Sequence, residues 1–585
     1  MSRNSEEVIS TDVLVVGGGL AGCWAALRAA ELSPRVTLVD KGVVARSGTT
    51  VFCHDVLAPM PESELDVWSK EIVEHAEYMS DERFVEVLLK EGGKRINDMW
   101  QWGVPFETDD QGNLFLSLGR GHKQSKVVLV DCRKMMEVMK QQVQARGAQI
   151  VDRVMITDLL TSDGQLPTSG SVVGAVGIHT QTGKLLVFKA KAVILTTGVT
   201  SLKQHGAFAD NVTGDAQAMA FRAGAELADL EFGFSQKFAW IHDGYLRITS
   251  LMPYQTQGAR IVNAKGERFM ERYAPDRGER RSGLGLLAQA AVKEIWEGRG
   301  PIYFDLRHFS REHLAQMKRI LPLRYRPFEE GGLDPAKDLI ETRLVVMYLS
   351  RGTCMDLWGE TSVPGLFTGG ICAHFPGGTE LLSGCMLGVC SVFGYRAGER
   401  AARAYQHKED DQISWGQVNG LKVSSYAPSE REAGISPREL YNKLAARIMR
   451  PEYSVVKTEK TIQEFIKGIG TCNQEDMPLL FAPDVHELIK ANEVRNFVDL
   501  LEPTYTAALE RRESRLSHYR ADYPFRDDGN WIKWIGVRRG SKGIEIRHRP
   551  VPLETNKSKP ASLTKIPSLI QFSETVSSGP GPGSG

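Results

Sequence analysis

The stretch Thr11–Asp40, TDVLVVGGGLAGCWAALRAAELSPRVTLVD, contains a strand, a helix and a second strand in close succession. Its apolar, β-branched run Asp12–Val16 has the composition of a buried parallel strand. Cys23–Leu32 is rich in Ala and Leu and predicts a helix. Arg35–Val39 predicts a second buried strand, which Asp40 closes. This order indicates the start of a parallel α/β domain.

Three glycines, Gly17, Gly19 and Gly22, follow the first strand in G-x-G-x-x-G spacing. Between a strand and a helix, one such glycine permits a tight turn and one lets a pyrophosphate approach the backbone. The third lets the helix pack on the strand. Leu20 and Ala21 stand at the helix N-terminus, where free N–H groups and a partial positive charge favour phosphate. The acid that ends the second strand is placed to accept from ribose hydroxyls, so the stretch predicts a dinucleotide site.

Composition places the chain among multidomain globular proteins. Its 585 residues are 42% hydrophobic and 25% charged, which predicts about two to four domains. Lys plus Arg equals Asp plus Glu, so the formal net charge is zero. That balance gives no indication of a nucleic-acid partner or of an anionic membrane surface.

The chain carries no visible targeting or membrane segment and no metal motif. Met1–Ser10 is polar and acidic, unlike a secretory signal, and no apolar run reaches the length of a membrane span. The eight cysteines are scattered without a C-x-x-C pair. We therefore expect no metal or iron–sulfur site within this chain. Free thiols favour a cytoplasmic location.

Three further strands or loops end in glycine-rich segments, at positions where the predicted dinucleotide would contact the sheet again. The loop Lys41–Thr50 follows the second strand, and Thr197 and Gly198 follow a buried strand at Lys191–Leu195. Pro364–Gly370 is another strand that ends in glycines. Such repeated junctions are typical of a dinucleotide fold that is built from separate parts of the chain.

The predicted fold class is α/β: a Rossmann-like dinucleotide-binding domain with a parallel sheet and a β-meander. An inserted α+β capping domain and a C-terminal helical domain complete it. Changes in composition and periodicity suggest the boundaries. The predicted units are 1–244 for the first part of the dinucleotide domain, 245–344 for the cap, 345–410 for its second part, 430–530 for the helical domain, and 531–585 for an extension whose last part is disordered.

The order of motifs resembles that of the flavoprotein subunits of succinate dehydrogenase and fumarate reductase. L-Aspartate oxidase and the α-chain of adenylylsulfate reductase are relatives in that superfamily. The resemblance spans roughly residues 10–535 and implies bound FAD, a cap over the flavin and a helical domain. The matching motifs are VLVVGGGLAG, TLVDKGVVARSGTT, VFKAKAVILTTG, VTGDAQAMAFRAGAEL, NAKGERFMERYAP, VPGLFTGG and RRESRLSHYRADYPFRDDGNW.

The resemblance assigns FAD contacts residue by residue. It implies that the helix starting near Met386 and Leu387 faces the pyrimidine end of the flavin, where the helix dipole stabilises the reduced anion. Gly48 stands where respiratory members carry the histidine that is linked covalently to FAD, so we expect non-covalent FAD. Gly370 stands where relatives place a ribose-binding glutamate. The predicted cofactor residues are Gly17, Gly19, Leu20, Ala21, Gly22, Asp40, Lys41, Ser47, Gly48, Thr49, Thr50, Thr197, Gly198, Asp215, Gly370, Met386 and Leu387.

The residues with which relatives bind succinate or fumarate are not kept. The two histidines align with Gln236 and Met347, and the glutamate aligns with Gln257. The proton-shuttling arginine aligns with Leu284 and the carboxylate-clamping arginine with Leu381. Dicarboxylates need fixed cations, because bidentate arginine pairing supplies both energy and orientation. Arg280 or Arg281 are the candidates to replace a missing arginine.

Four residues are candidates for the chemistry: His374, Glu380, His242 and Arg351. His374 and Glu380 lie in CAHFPGGTELLSG, which in relatives passes next to the flavin. Glu380 has the chemistry of a base or a partner for a cationic substrate, and it would equally cap a turn. His242 lies in WIHDG and has a structural alternative as a satisfied histidine, as does His374.

These observations favour an FAD-dependent oxidoreductase. It would pass a hydride or electrons between FAD and an organic or sulfur-containing small molecule other than succinate or fumarate. One alternative is an α-subunit like that of adenylylsulfate reductase, working with a separate ferredoxin-like iron–sulfur subunit. Others are a fumarate reductase or succinate dehydrogenase with a rearranged site and a non-catalytic FAD-containing binding protein. The oligomeric state is left open.

Overall fold

The computed structural model describes residues 6–203, 211–242, 245–248, 250–320, 322–349, 352–374, 381–407, 409, 412–553 and 557–572. The first part of the α/β domain comprises β1 Glu7–Val16, α1 Leu20–Ala30, β2 Val36–Asp40, β3 Asp55–Leu57, α2 Leu65–His75, α3 Glu82–Gln101, β4 Leu116–Ser117, β5 Val127–Leu129, α4 Cys132–Ala145, β6 Gln149–Asp152, β7 Val154–Thr161, β8 Val172–His179, β9 Leu185–Leu195, β10 Thr200–Ser201, α5 Asp215–Arg222 and β11 Leu227–Ala228.

The cap and the return to the α/β domain follow along the chain. They comprise β12 Ser235–His242, β13 Tyr245–Ile248, α6 Met252–Thr256, β14 Arg260–Val262, α7 Met270–Tyr273, α8 Gly278–Arg281, α9 Leu284–Trp296, β15 Ile302–Asp305, α10 Arg311–Ile320, α11 Pro322–Glu330, β16 Ile340–Leu349, β17 Leu366–Thr368 and α12 Cys385–Ala404.

The helical domain and the C-terminal part complete the described chain. They comprise α13 Trp415–Tyr426, α14 Pro437–Met449, α15 Pro451–Ser454, β18 Val456–Lys457, α16 Glu459–Thr471, α17 Val485–Glu510, β19 Tyr519–Arg520, β20 Phe525–Asp527, α18 Asp528–Trp531, β21 Lys533–Gly540, β22 Gly543–Pro550 and β23 Lys565–Pro567.

The central sheet has seven strands in the order β6-β2-β1-β9-β8-β7, with β17 paired to β9. Strands β6, β2, β1, β9 and β17 pair in parallel, whereas β7, β8 and β9 form the antiparallel meander. In the register, Val16 lies opposite Val39 on β2 and opposite Leu195 on β9. The carboxyl ends of three strands therefore meet at one edge, which is where α/β sheets bind ligands.

Helix α1 packs closely on α12 because small residues line their contact. A Cβ at Gly394 would lie 2.4 Å from the carbonyl oxygen of Ala21, and one at Gly398 would lie 2.3 Å from that of Ala25. Helix α1 begins at Leu20, earlier than the predicted Cys23, because Gly19 is its N-cap. The two helices cover one face of the sheet next to the glycine loop.

The cap is built on a six-stranded sheet in the order β13-β12-β16-β15-β14, with β10 paired to β16. Strand β12 pairs antiparallel with β16, with Phe238 opposite Leu344. Because β12 starts at Ser235, the predicted domain boundary at residue 245 falls inside the cap sheet. The cap runs on to Leu349 at the end of β16, so β12 and β16 both connect it to the α/β domain.

The C-terminal part is integrated into the fold. Strands β21 and β22 form a hairpin, and β21 pairs with β11 of the α/β domain, with Leu227 opposite Val537. The tail predicted to be disordered begins at Val551, but β23 lies within it and pairs with β20. Residues 573–585 at its end lie outside the described residues. No helix within the described ranges is both long and apolar enough to cross a bilayer.

The motif RRESRLSHYRADYPFRDDGNW forms a buried ionic network. Arg511 donates through Nε to Glu231 Oε1 at 2.7 Å and through Nη1 to Glu513 Oε1 at 2.8 Å. Arg515 pairs with Glu513 and with Asp528, each at 2.8 Å. All five side chains have no exposed surface. The network fastens the end of α17 to the α/β domain.

We expect the substitution Arg511→Met to destabilise the protein by about 3–5 kcal/mol, because it leaves the buried carboxylate of Glu231 without its arginine and removes one of the two arginines that pair with Glu513. Denaturant unfolding followed by tryptophan fluorescence measures this loss. The adjacent Arg512 is exposed, so Arg512→Met is the matched control and should change stability by less than about 0.5 kcal/mol. Equal midpoints for the two variants would contradict the assignment.

Candidate functional site

The glycine loop is fixed by the acid at the end of β2. Asp40 Oδ2 accepts from the N–H of Gly18 at 2.7 Å, and Oδ1 accepts from the N–H of Gly42 at 2.7 Å. Burial raises the pKa of Asp40, and these two backbone bonds oppose that effect. The acid expected to accept from ribose therefore also organises the two loops that flank it.

The glycines of the loop have different surroundings. Gly17 has a φ of +108°, and a Cβ there would lie 2.6 Å from the carbonyl oxygen of Thr196. A Cβ at Gly22 would lie 1.8 Å from the carbonyl oxygen of Gly17, so α1 and the loop are in direct contact there. A Cβ at Gly19 would meet only Thr50 Oγ1, at 3.6 Å, and would otherwise point into open space. Gly19 thus borders the cavity, whereas Gly22 serves packing.

A cavity opens at this edge of the sheet. It is lined by most of the residues predicted to contact the cofactor. Its wall also contains residues that were not predicted, among them Val154, Ile156, Thr196, Asn211, Val212, Ile371 and Cys390. The predicted residues in its wall are Gly17, Gly19, Leu20, Ala21, Asp40, Lys41, Ser47, Gly48, Thr49, Thr50, Thr197, Gly198 and Asp215.

Gly370, also predicted to contact the cofactor, packs against α1. A Cβ there would lie 2.6 Å from the Cβ of Ala21, and the φ of Gly370 is +72°. A glutamate at this position would require both a strained backbone and a shift of α1. The close packing of Gly370 against Ala21 is therefore compatible with glycine at this position and not with the glutamate that the resemblance implies.

Lys41 is held by acids of two distant segments. Its Nζ donates to Glu493 Oε1 on α17 at 2.8 Å and to Thr213 Oγ1 at 2.7 Å, and it lies 3.1 Å from Asp215 Oδ2. Burial alone would raise the pKa of Glu493, but Lys41 and Lys203 outweigh it and hold this pKa well below its ordinary value. Lys41 thus positions α5 and α17 around the cavity.

The residues present fit FAD. The N-cap Gly19 places no side chain over the first turn of α1, and the partial positive charge of that helix N-terminus favours a phosphate. The N–H of Leu20 donates to Thr50 Oγ1 at 3.4 Å. Gly48 has a φ of +82°, and a Cβ there would meet no atom within 4 Å. The position of the family's covalent linkage therefore carries no nucleophile and has space around it.

This geometry predicts that FAD is released by acid. Precipitation of the purified protein with trichloroacetic acid should leave all of the yellow colour in the supernatant, because residue 48 offers no atom for a covalent bond. The absorbance of the supernatant should account for the flavin of the native protein. A pellet that stays yellow after washing would show a covalent link at some other residue.

A second cavity adjoins the first and shares Thr49, Thr50, Ile371 and Cys390 with it. Its walls come from the start of α12, where Met386 and Leu387 line it, and from the cap. The two residues predicted to face the flavin therefore line this second space, and neither is among the described residues in the wall of the first cavity. A cavity that opens directly on a cofactor site is the default position for a substrate.

Three of the positions at which the resemblance leads us to expect charged groups line this second cavity as apolar side chains. Leu284, Met347 and Leu381 all contribute to its wall. Gln236 does not, because it is buried and donates through Nε2 to the carbonyl oxygen of Ser454 at 3.0 Å. Side chains alternate along a strand, so its neighbour Lys237 lines the cavity instead.

The cationic groups of the cavity come from places that the sequence did not indicate. Arg324 on α11 donates to the carbonyl oxygens of Ser250, at 3.0 Å, and Phe52, at 3.4 Å. Arg120 donates to the carbonyl oxygen of Leu381 at 3.0 Å. Together with Lys237, these two arginines line the cavity.

The loop that carries Arg120 and His122 is held in place by the buried acid Glu71 and by His122 itself. Glu71 Oε2 accepts from the N–H of Ser125 at 2.8 Å, and Oε1 also accepts from backbone N–H groups of the loop. His122 Nε2 lies 2.8 Å from the carbonyl oxygen of Ser383, just before α12. These contacts hold Arg120 beside the N-terminus of α12.

The arginines proposed as replacements lie elsewhere. Arg281 donates to the carbonyl oxygen of Asp276 at 2.8 Å and lines a different cavity, near α2. Arg280 is exposed on the same short helix. Neither Arg280 nor Arg281 belongs to the described wall of the second cavity, whereas Arg324 and Arg120 do.

Two of the four catalytic candidates, His374 and His242, lie in the described part of the chain. Both contact protein side chains that are outside the walls of the two cavities. His374 is buried, with Nε2 at 2.9 Å from Asp229 Oδ2 and its ring against Trp534. His242 stacks on Trp240, on the face of β12 opposite Lys237. Neither histidine belongs to the described wall of the two cavities. Glu380 and Arg351 lie outside the described residues.

The thiols near the site are protonated in the neutral range. Burial raises the pKa of Cys53, which lines the second cavity, to about 12, and raises that of Cys385 to about 12. All eight cysteines are free. In the part of the chain that the structure describes, no group of three or more His, Cys, Asp or Glu side chains is arranged to hold a metal ion.

Two family models match most of the chain. Residues 12–387 match the FAD binding domain, and residues 442–564 match the fumarate reductase flavoprotein C-terminal domain. Among curated relatives, a fumarate reductase (CoM/CoB) subunit from Methanothermobacter marburgensis is 28% identical over 88% of this chain and 95% of its own. The fumarate reductase flavoprotein subunit of Mycobacterium tuberculosis is 28% identical over 93% of this chain and 97% of its own.

Solved structures share the fold. A quinol:fumarate reductase of E. coli superimposes with a TM-score of 0.85 at 22% identity, over 95% of this chain and 99% of that chain. The adenylylsulfate reductase of Archaeoglobus fulgidus gives 0.78 at 23% identity, over 94% and 97%. The expected α/β fold and FAD as cofactor are confirmed. The chain therefore belongs to the family of FAD-dependent oxidoreductases that includes the flavoprotein subunits of fumarate reductase and succinate dehydrogenase.

Proposed function

We propose that this chain oxidises or reduces a small molecule other than succinate or fumarate in the second cavity. FAD, when bound, supplies the hydride or electron chemistry. The protein positions the cofactor through the glycine loop and α12, and the cap holds the substrate against it. The observation that carries this proposal is the joint placement of Leu284, Met347 and Leu381 in the cavity wall.

Those three side chains bear directly on specificity. Family members hold two carboxylates with charged groups at the corresponding positions, and a leucine offers neither a charge nor a hydrogen bond. Burying a carboxylate against an apolar wall costs several kcal/mol unless other groups compensate. We therefore expect that the part of the substrate that contacts Leu284, Met347 and Leu381 is apolar.

A fumarate reductase or succinate dehydrogenase with a rearranged site is the second candidate. It is favoured by the names of the relatives at 28% identity and by the three cations Arg120, Lys237 and Arg324 in the same cavity. Under that alternative, two of these cations would clamp the two carboxylates. The absence of turnover with either dicarboxylate would reject it.

We further propose that electrons leave or enter through a separate iron–sulfur subunit, as in the adenylylsulfate-reductase-like alternative. The described residues hold no metal cluster site, and the curated relatives are named as subunits. Copurification of a brown partner with the tagged chain from its native source would support this. A chain that cycles fully with oxygen or a soluble carrier alone would contradict it.

An anaerobic flavin-reduction screen tests the proposed function. The holoprotein is mixed with NADH, sulfite with and without AMP, succinate and organic acids, and the bleaching of the flavin is followed. Dithionite is the control that establishes a reducible flavin. We expect reduction by a donor other than succinate. Reduction by succinate alone would favour the second candidate, and a protein without flavin would favour a non-catalytic role.

A further inference from the structure

One helix of the helical domain reaches the wall of the cofactor cavity. Helix α17 carries Glu493 and Asn496, which are three residues apart and therefore lie on the same face of the helix. Both side chains are buried against the α/β domain. Their partners there are Lys41 and Asp215, and both partners line the cofactor cavity.

Glu493 holds the ammonium group of Lys41. Its Oε1 accepts from Lys41 Nζ at 2.8 Å, while its Oε2 accepts from Lys490 at 3.0 Å and from Lys203. Burial alone would lower the pKa of Lys41, but Asp215 and Glu493 outweigh this effect and raise that pKa above its ordinary value. Lys41 therefore stays charged in the wall of the cavity.

Asn496 holds the carboxylate of Asp215. Its Nδ2 donates to Asp215 Oδ1 at 2.9 Å, and its Oδ1 accepts from Arg222 Nη1 at 2.9 Å. An amide makes both contacts at once because it carries a donor and an acceptor. Asp215 begins α5 and lies 3.1 Å from Lys41 Nζ. Helix α17 thus contacts both members of an ion pair in the cavity wall.

The next turn of α17 fastens the helix without reaching the cavity. Asp499 Oδ2 accepts from Arg222 Nη1 at 2.6 Å. Arg495 Nη1 donates to Asp158 Oδ2 at 3.0 Å. None of these four residues belongs to the described wall of the cofactor cavity. The helix therefore makes two sets of charged contacts with the α/β domain, one at the cofactor wall and one away from it.

We propose that α17 is part of the cofactor site, with Glu493 and Asn496 as positioning residues that hold Lys41 and Asp215 in the arrangement that binds FAD. A buried charge without its partner is strongly unfavourable, so a shift of α17 would displace both wall residues. By thermodynamic linkage, FAD stabilises the docking of α17 as much as α17 stabilises the binding of FAD. This coupling is independent of which substrate the second cavity takes.

The rate at which FAD leaves the holoprotein tests the inference. The holoprotein is diluted, and release is followed by the rise in flavin fluorescence, with the FAD content of the purified protein measured by absorbance. We expect Glu493→Gln to release FAD at least about 10-fold faster, because a charged partner of Lys41 becomes neutral. A folded variant that is purified without FAD has the same meaning.

Asn496→Leu is an independent second variant. It removes the amide that donates to Asp215 and leaves Glu493 and Lys41 unchanged. We expect FAD release to be accelerated by a similar factor, at least about 10-fold. Circular dichroism and thermal melts establish that each variant is folded. If Glu493→Gln does not fold, Asn496→Leu still tests the coupling.

Asp499→Asn is the matched control. It makes the same change from carboxylate to amide on the same helix and weakens a contact with a buried cation, Arg222, without touching Lys41 or Asp215. It should lower the melting temperature but change FAD release by less than about 2-fold. An acceleration equal to that of Glu493→Gln would show that α17 acts only through general stability, and it would overturn the inference.

A double-mutant cycle separates positioning from packing. If Glu493 acts through Lys41, Glu493→Gln should accelerate release by less than about 2-fold when Lys41→Met is already present. Effects of the two substitutions that simply multiply would overturn the inference, as would unchanged release in both Glu493→Gln and Asn496→Leu. Because none of these measurements involves a substrate, their failure leaves the proposed function standing.

Discussion

The variant Gly19→Val is expected to fold normally and to contain almost no FAD. The backbone at Gly19 is extended, with φ −76° and ψ −171°, which valine adopts without strain. A Cβ there meets only Thr50 Oγ1, at 3.6 Å, so the two branches of valine project into the cofactor cavity. They cover the N–H groups at the start of α1.

The loss should be large because phosphate binding rests on those groups. Hydrogen bonds to a charged group contribute about 1.5–3 kcal/mol each, so blocking two of them weakens FAD binding at least about 100-fold. The flavin-to-protein absorbance ratio measures the content, and far-ultraviolet circular dichroism measures the fold. Gly92→Ala is the control, because a Cβ on this residue of α3 meets nothing within 4 Å.

Gly22 provides a contrasting variant in the same loop. A Cβ there would lie 1.8 Å from the carbonyl oxygen of Gly17, so Gly22→Ala should damage folding as well as FAD binding. Thermal melting should therefore distinguish the two variants: Gly22→Ala should melt at a lower temperature than the unchanged protein, whereas Gly19→Val should keep its fold. Normal FAD content in Gly19→Val would show that the cofactor does not approach this loop.

The second expected result is that the purified holoprotein neither oxidises succinate nor reduces fumarate at a measurable rate with artificial dyes. By the resemblance drawn from the sequence, Leu381 stands where a carboxylate-clamping arginine is expected, and Leu284 stands where a proton-delivering arginine is expected. Loss of a charge-assisted clamp costs roughly 100-fold. Loss of the acid removes a further factor of about 100 to 10,000.

A positive control is needed for a negative result. The same preparation should be bleached by dithionite and recoloured by a dye, which shows a competent flavin. If succinate turnover is nevertheless seen, Arg120→Gln, Lys237→Met and Arg324→Gln would identify the replacement cations, since these residues line the cavity. Rapid turnover by the unchanged protein would contradict the proposed specificity.

Local sequence predicted the cofactor cavity well, because its wall is built largely from short loops directly after strands. The glycine loop, Asp40 and the segment Ser47–Thr50 all line it. Glu493 was missed because it reaches Lys41 from α17, far along the chain. No local pattern marks a side chain whose partner is set only by tertiary packing.

The substrate cavity could be predicted only in part. Of the positions that the resemblance singled out, Leu284, Met347 and Leu381 line one cavity. Gln236 lies on the other face of its strand, and a shift of one residue along a strand reverses the face. Arg324 lies on a helix of the cap that carries no recognisable motif. His374 was singled out by its position in a loop, yet it pairs with Asp229 from another segment.

The most direct test of the central claim is a single turnover with fumarate. The flavin of the holoprotein is first reduced stoichiometrically with dithionite under anaerobic conditions and then mixed rapidly with excess fumarate, with ferricenium as a parallel oxidant. We expect ferricenium to restore the oxidised spectrum at once, whereas fumarate should leave the flavin reduced for minutes. Reoxidation by fumarate within seconds would contradict this expectation.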